Sequence, residues 1–215
     1  MRPSRVLMLG AALIALAACG NDSSKPKVGA TALQRVMDRV KGGRDAPQPT
    51  PTADQLRAAV TPEFRAQTGN APLLLASSTR LPVSSIMVMA GENAGVRTYF
   101  APDGISFSLR QGVLIASRGL GTDLMRADVS QVLPRVRAGE GFAVRVHHYL
   151  DGENQTVERR FTCSYTTQEA EVVETCSGGE ATFENRYFLN DDGEIAVSIQ
   201  WVSPQLQSYR LEDLG

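Results

Sequence analysis

The sequence is poor in the side chains that most often form catalytic and metal sites. It has two histidines, three cysteines and one tryptophan among 215 residues. The histidines, His147 and His148, are adjacent in a segment with strand periodicity, so they point to opposite faces of a sheet. They cannot bind one metal ion from one side. We therefore expect one histidine in or near the core, the other in solvent, and no metal or other cofactor.

An excess of either charge is also lacking. The chain has 22 lysines and arginines against 23 aspartates and glutamates, which gives a formal net charge of −1. This balance argues against nucleic acid as a partner and against a polybasic attachment to anionic lipid.

Familiar catalytic motifs are missing as well. Residues 104–108 lack the second glycine of the G-x-S-x-G nucleophile motif. Gly119 and Gly121 are not surrounded by the strand–loop–helix pattern of a phosphate loop. The acidic pairs at 191–192 and 212–213 lie in a predicted turn and at the C-terminus, where we expect them to be solvated. We assign no catalytic residue.

An apolar run occurs at the N-terminus, in residues 6–18. It is too short to span a bilayer, which takes roughly 20 residues. Arg2 and Arg5 precede it, and a charged start before a short apolar core is typical of a cleaved signal peptide. The run ends in L-A-A-C, which resembles the bacterial lipobox. We therefore expect residues 1–18 to be removed and Cys19 to become a lipid-modified N-terminus.

A lipid on Cys19 implies a membrane anchor, since two or more acyl chains give stable attachment where one does not. Gly20 follows the cysteine instead of aspartate. By resemblance to enterobacterial sorting, this favours the outer membrane over the inner. No other segment approaches a transmembrane length, so we expect the rest to be a soluble periplasmic or surface domain, with the periplasmic face favoured. Without Arg2 and Arg5 the mature chain keeps 20 basic residues against 23 acidic ones.

Residues 19–52 are expected to be a flexible tether. Residues 20–29 are polar, and a proline-rich spacer with extended bias follows at 45–51. Between them, four apolar residues recur at the spacing of one helical face, which predicts a short amphipathic helix from Leu33, Val36, Met37 and Val40.

The rest of the sequence, residues 53–215, predicts one mainly β domain. After residue 72, apolar and polar residues alternate in segments separated by glycine turns, which indicates strands with one buried face. We count about ten strands, joined mostly as hairpins into an antiparallel barrel or sandwich. The apolar sets expected to face the core include Phe107 and Leu109; Phe142, Val144, Val146 and His148; Phe161, Cys163 and Tyr165; and Ile195, Val197, Ile199 and Trp201.

Short helices are predicted before the strands and once among them. Thr52 and Gln55 form a capping box. Thr61 is placed as an N-cap, with Pro62 at the first helical position. A further helix is predicted to end before Pro134, on the apolar residues Leu124, Val129 and Leu133.

A disulfide is predicted between the two cysteines that remain once Cys19 carries lipid. Disulfides persist in the oxidising periplasm, and the alternative is two free buried thiols. Antiparallel pairing with Gln168 opposite Glu171 would place Cys163 opposite Cys176. Opposed side chains in a sheet are close enough for such a bridge.

Two stretches of the β domain resemble one family. Residues 105–124 run through a strand, Gly112, the strand V-L-I-A-S and then R-G-L-G-T-D-L. Residues 185–204 run from N-R-Y-F-L through Gly193 into S-I-Q-W-V-S-P. This order resembles the YjbF/GfcB lipoproteins, which are linked to exopolysaccharide and group 4 capsule secretion. The motif positions are Arg118, Gly119, Leu120, Asp123, Leu124, Ser198, Gln200 and Pro204.

The resemblance covers roughly residues 55–212, and its motifs are structural. It implies a β-rich domain at the outer membrane that is not an enzyme and assists the export of exopolysaccharide or capsule. Polysaccharide export proteins, or polysaccharide itself, are the implied partners. Two alternatives stay open: a carrier that holds a lipid or a glycan in a cavity, and a polysaccharide-modifying enzyme with paired carboxylates across a cleft.

The lipobox gives the first testable prediction. Replacing the acylated thiol in Cys19→Ser should abolish palmitate labelling and leave the protein unprocessed or soluble. Metabolic labelling and membrane fractionation of wild type and variant measure both effects. A variant that is still labelled and still sediments with membranes would contradict the lipoprotein assignment.

Overall fold

A computed structural model of the protein describes residues 50–179 and 181–215. The predicted signal peptide, Cys19 and the amphipathic helix around residues 33–40 lie outside the described residues. None of the helices in the described ranges has the length and apolar character needed to cross a membrane.

Twelve strands and three short helices make up the described residues. The helices are α1 (Ala53–Ala58), α2 (Pro62–Gln67) and α3 (Val132–Ala138). The strands are β1 (Leu73–Ser78), β2 (Ser84–Asn93), β3 (Val96–Phe100), β4 (Ser106–Arg110), β5 (Val113–Arg118), β6 (Arg126–Asp128), β7 (Gly141–Leu150), β8 (Thr156–Gln168), β9 (Glu171–Gly178), β10 (Ala181–Leu189), β11 (Ile195–Ser203) and β12 (Gln207–Asp213).

The strands form one antiparallel sheet that curls into a nearly closed barrel. Their order is β5-β4-β3-β2-β1-β12-β11-β10-β9-β8-β7-β6, so all neighbours but β1 and β12 are consecutive in sequence. The two end strands, β5 and β6, meet at a seam, where the amide of Ser117 donates to the carbonyl of Leu124 at 2.8 Å. The prediction of a mainly β domain is confirmed, and of the two predicted architectures, barrel and sandwich, the structure has the barrel.

Helices α1 and α2 begin where the capping residues predicted. Thr52 and Gln55 form the reciprocal capping box, and Thr61 accepts from the amide of Phe64 with Pro62 at the start of α2. Both helices pack on the outer face of β1 and β2. Their contact with the barrel is a small apolar cluster of Leu56, Phe64, Leu73, Leu75 and Ile86.

The third helix lies later than predicted. It spans Val132–Ala138, whereas Leu124 and Val129 are buried in the segments on either side of β6. Pro134 is the third residue of the helix, not the residue that stops it. This is tolerated because the first amides of a helix have no partner within the helix. Gly139, at φ 71°, ends the helix in the left-handed conformation.

Helix α3 also covers an unpaired strand edge. β6 pairs only with residues 146–148 of β7, which leaves the start of β7 without a neighbouring strand. Two helix-side groups bond this edge in its place. The amide of Val144 donates to the side chain of Gln131 at 3.1 Å, and Arg135 Nε donates to the carbonyl of Phe142 at 3.1 Å.

The inward face of β7 is the opposite of the one predicted. Arg145 and His147 are buried, whereas Phe142 is 72% exposed. The cause is the pairing with β8, in which Arg145 lies opposite Phe161. Directly opposed residues share a face of the sheet, and Phe161 is buried as predicted. Of the two histidines, His147 is the core residue and His148 lies on the other face.

The inward face of β11 is also reversed over most of its length. Ser198 and Gln200 are buried, while Ile195, Val197 and Ile199 are only half-buried. Ser198 lies opposite the buried Tyr187 of β10, which fixes this face. A register shift between Trp201 and Ser203 then brings Trp201 into the core as well.

The β8–β9 hairpin has the predicted register. Gln168 lies opposite Glu171, and Cys163 opposite Cys176. The structure joins the two cysteines in a disulfide, with both side chains fully buried.

The bridge should stabilise the fold by restricting the unfolded chain. Replacing both cysteines (Cys163→Ala with Cys176→Ala) should lower the free energy of unfolding by ~3 kcal/mol, the value for a loop of this size. Urea unfolding measures the loss, and mass spectrometry of non-reduced peptides from periplasmic protein should find the linked pair. Dithiothreitol should destabilise wild type and leave the double variant unchanged. Two freely alkylated thiols in the wild type would contradict the bridge.

Candidate functional site

A buried ion pair occupies the barrel interior. Arg145 on β7 and Glu174 on β9 are 1% exposed or less. The guanidinium donates from Nε to Oε1 at 3.1 Å and from Nη2 to Oε2 at 3.0 Å. The fork geometry of arginine matches a carboxylate in this bidentate way. Burial opposes the charge on Glu174, but the Arg145 charge and the surrounding hydrogen bonds outweigh it and lower the pKa of the carboxyl.

Neighbouring strands complete the environment of Glu174. Tyr165 donates to Oε1 at 2.5 Å, and Asn185 and Tyr187 donate to Oε2 at 2.6 and 2.7 Å. The carboxylate thus accepts five hydrogen bonds. Burial, followed by the charge of Glu174, raises the pKa of both tyrosines, so the hydroxyls stay protonated donors. The Asn185 oxygen accepts the amide of Trp201 at 2.7 Å, which extends the network to β11.

The network fixes the tautomer of His147. The Tyr149 hydroxyl donates its proton to the carbonyl of Val202 at 2.7 Å. It must therefore accept from His147 Nδ1, which lies 2.9 Å away. Nε2 is left as an acceptor facing Arg145 Nη1 at 3.4 Å. Burial, and then the Arg145 charge, holds the pKa of His147 well below its usual value, so the ring is neutral.

Aromatic rings surround His147 on its apolar side. Phe183 and Trp201 stack with centroids 4.3 Å apart and planes within 3°. The imidazole lies roughly parallel to both, and Phe161 meets it edge-on at 5.3 Å. This part of the interior is filled with side chains.

One group in the described ranges combines side chains of the kind that bind metals: Cys163, Glu174 and Cys176. Its two sulfurs are joined to each other, and its carboxylate is bonded to Arg145. The group therefore offers neither a thiolate nor a free carboxylate to an ion.

The motif residue Gln200 connects two distant parts of the barrel. Its side-chain oxygen accepts the amide of Leu114 on β5 at 2.8 Å, and its nitrogen donates to the carbonyl of Gly112 at 2.8 Å. The same nitrogen donates to Ser198 at 2.8 Å. The glutamine thus bonds the backbone at the start of β5 and in the turn before it. A side chain at Gly112 would prevent this approach, because its Cβ would lie 2.6 Å from Ile195 Cβ.

The loop of residues 118–124 is organised by Asp123. Its carboxylate accepts from the Ser117 hydroxyl at 2.8 Å and from the amides of Gly119 and Leu120 at 3.0 and 3.2 Å. Arg118 donates to backbone carbonyls at the seam, including that of Leu124 at 3.2 Å.

The structure brings the two motif stretches together in two places. Gln200 bonds the start of β5, and Thr122 lies 3.2 Å from Ser203 at the opposite end of the barrel. Pro204 lies in the turn after β11, where its carbonyl accepts from Gln207 at 2.6 Å. Each of these contacts serves the framework.

An open cavity of about 540 Å³ lies at the end of the barrel that carries the β4–β5 and β10–β11 turns. Part of α3 forms one wall. The inner surface is mixed, and its apolar part includes Leu74, Tyr99, Leu109, Leu133, Ile195 and Leu211. Ionisable side chains also line it: Arg97, Arg137, Asp192, Glu194 and Asp213.

The sequence of the barrel domain matches a known family model. Residues 53–214 match the model described as group 4 capsule polysaccharide lipoprotein gfcB, YjbF. The chain belongs to the YjbF family. The resemblance drawn from the two motif stretches is therefore confirmed, and the contacts of Gln200 and Asp123 show what those stretches do in this YjbF-family barrel.

A solved structure has the same fold. The hypothetical lipoprotein YmcC from Escherichia coli K12 superimposes with a TM-score of 0.60 at 10% sequence identity, over 85% of this chain and 95% of that one. At this identity the likeness shows the fold alone. No curated protein matches the chain.

Sequence reasoning missed the polar interior of this YjbF-family chain and did not locate the cavity that the carrier hypothesis requires. The apolar set expected of β7 turns Arg145 outward, away from Glu174. One signal was available: the predicted β8–β9 register puts Glu174 on the same face as the buried Cys176. The cavity residues come from separate strands and a helix, and no spacing in the sequence relates them.

The depressed pKa of His147 predicts a pH-dependent stability. The unfolded chain takes up a proton at this histidine below pH ~6.5, while the folded protein does not, so the free energy of unfolding should fall with decreasing pH. The slope should reach at most about 1.4 kcal/mol per pH unit. Urea unfolding across this range measures it. His147→Phe should flatten the slope, and His148→Phe, on the outer face, is the control that should keep it. Equal slopes in wild type and His147→Phe would contradict this assignment.

Proposed function

We propose that the protein is an accessory factor, and not an enzyme, in the export of exopolysaccharide or capsule, anchored to the outer membrane through a lipid on Cys19. The match of residues 53–214 to a capsule polysaccharide lipoprotein family carries the proposal. The lipobox at the N-terminus and Gly20 after the cysteine support the anchor and the membrane. Residues 19–52 serve as the tether, and the barrel faces the periplasm.

The use of the polar side chains supports a role without catalysis. Gln200 and Asp123 bond backbone groups of the framework, and Glu174 has its oxygens occupied by five donors. A general base or nucleophile needs an oxygen that can approach substrate. These motif and interior groups are instead bonded within the protein, so we infer that they were selected for the barrel they build.

The cavity favours one refinement of this role. A volume of about 540 Å³ lies within the range of roughly 300–1,000 Å³ that small-molecule sites have. This supports a carrier or binding function within export, which was the second hypothesis from the sequence.

The genetic test separates an export role from a synthetic one. Deletion of the gene should lower surface and secreted polysaccharide while synthesis of the sugar precursors continues. Quantifying extracellular polysaccharide and the intracellular precursor pool measures both, and a plasmid with the wild-type gene is the control that should restore export. Normal polysaccharide output in the deletion strain, or cleavage of a glycan by the purified protein, would contradict the proposal.

A further inference from the structure

We propose that the open cavity at the β4–β5 end of the barrel binds a short glycan segment through neutral sugar residues. This inference rests on the proposed role in polysaccharide export and names the chemical class that the barrel would hold. It follows from the chemistry of the cavity surface: apolar walls combined with charged planar groups of both signs.

The charged groups disfavour an acyl chain as the occupant. Arg137, Asp192 and Glu194 line the cavity and are exposed to solvent. An acyl chain would remove water from them without returning a hydrogen bond, and unpaired polar groups are costly to bury. Sugar hydroxyls both donate and accept, so they can replace water at a guanidinium and at a carboxylate alike.

The balance of charge disfavours a phosphate or another strongly anionic ligand. Two arginines line the cavity, but three carboxylates line it with them. Arg97 is already committed, since its Nε donates to Glu92 at 3.0 Å and its Nη1 lies 4.0 Å from Asp213. The other cavity arginine, Arg137, has no carboxylate partner within the described residues. It donates to the side chain of Gln111 at 3.0 Å.

Acceptors for sugar hydroxyls are available on the β10–β11 turn. The amides of Asp192 and Glu194 are tied to the Asn190 side chain at 3.1 and 2.9 Å, which holds the turn in place. Their carboxylates have no hydrogen-bond partner within residues 50–179 and 181–215. The bonds to Asn190 hold the backbone of the turn, and its two unengaged carboxylates can accept hydroxyl donors there.

The apolar wall supplies the second half of sugar recognition. Leu133, Val136 and Ile195 lie beside these polar groups in the same cavity. A sugar ring has apolar C–H faces and polar hydroxyl edges, so it can place a face on this wall and its edges on the turn. The cavity volume of about 540 Å³ is large enough for a small-molecule ligand of this kind.

Filling the cavity provides the main test. The probe is a set of short oligosaccharides released from the exopolysaccharide of the producing cells, titrated calorimetrically into the full mature chain in detergent. Ala196 lines the cavity and is half-buried, so Ala196→Phe should weaken binding at least tenfold. Ala170→Phe, on the exposed β8–β9 turn outside the cavity, is the matched control and should bind as wild type does.

A second variant tests the site without placing a larger side chain at a half-buried position. Glu194→Gln keeps the shape of an exposed side chain and removes its charge, and should weaken binding about tenfold, as expected when a charge-assisted hydrogen bond becomes a neutral one. Glu169→Gln, on the β8–β9 turn, is its control and should have no effect.

The outcomes separate this inference from the export role. No glycan binding by wild type, or binding that survives both Ala196→Phe and Glu194→Gln, overturns the glycan site. Binding of dodecanoate that Ala196→Phe abolishes, in place of glycan binding, overturns it in favour of an acyl carrier. Neither result alters the polysaccharide output of the deletion strain, which tests the export role by itself.

Discussion

The ion pair between Arg145 and Glu174 determines what else the barrel interior can contain. Removing two charges from water is costly, and the cost is recovered only if the remaining donors and acceptors are satisfied. Here the satisfying groups come from Tyr165, Asn185 and Tyr187, and Asn185 passes the network on to β11. Four consecutive strands of the sheet, β7 to β10, thus meet at one carboxylate, and Asn185 links β11 to them. Loss of either charge would leave the other buried and unpaired, at about 3–5 kcal/mol.

This polar interior explains which features of the fold were predictable. Local signals were reliable: the caps at Thr52 and Thr61 and the β8–β9 register are where the sequence placed them. The inward face of β7 could not be predicted in this way, because it depends on the length of the loop between β7 and β8. A two-residue turn at 151–152 would have placed Phe142 opposite Phe161. The observed loop occupies residues 151–155, which is three residues longer than such a turn. Because three is an odd number, every side chain of β7 points to the opposite face of the sheet.

The candidate site also has one part that the sequence predicted and one part that it did not. The motif stretches could be recognised from their order, and their contacts are backbone-directed and local to the seam, as with Asp123. The cavity could not be recognised, because its surface is assembled from β1, β3, β4, β10, β11, β12, α3 and two turns only after the barrel curls. The two motif stretches of this chain therefore supply framework contacts, as at Gln200, and also part of the cavity surface, which includes Gly112, Glu194 and Ser198.

Helix α3 has a consequence for how many copies of the protein can share a membrane. A strand edge with unpaired amides and carbonyls is a template for strands of other chains, and the lipid anchor proposed above would bring copies together at one membrane surface. Gln131 and Arg135 occupy the backbone groups of Val144 and Phe142, which are the ones that a second chain would use. The short helix thereby shields this edge from pairing with a strand of a neighbouring barrel.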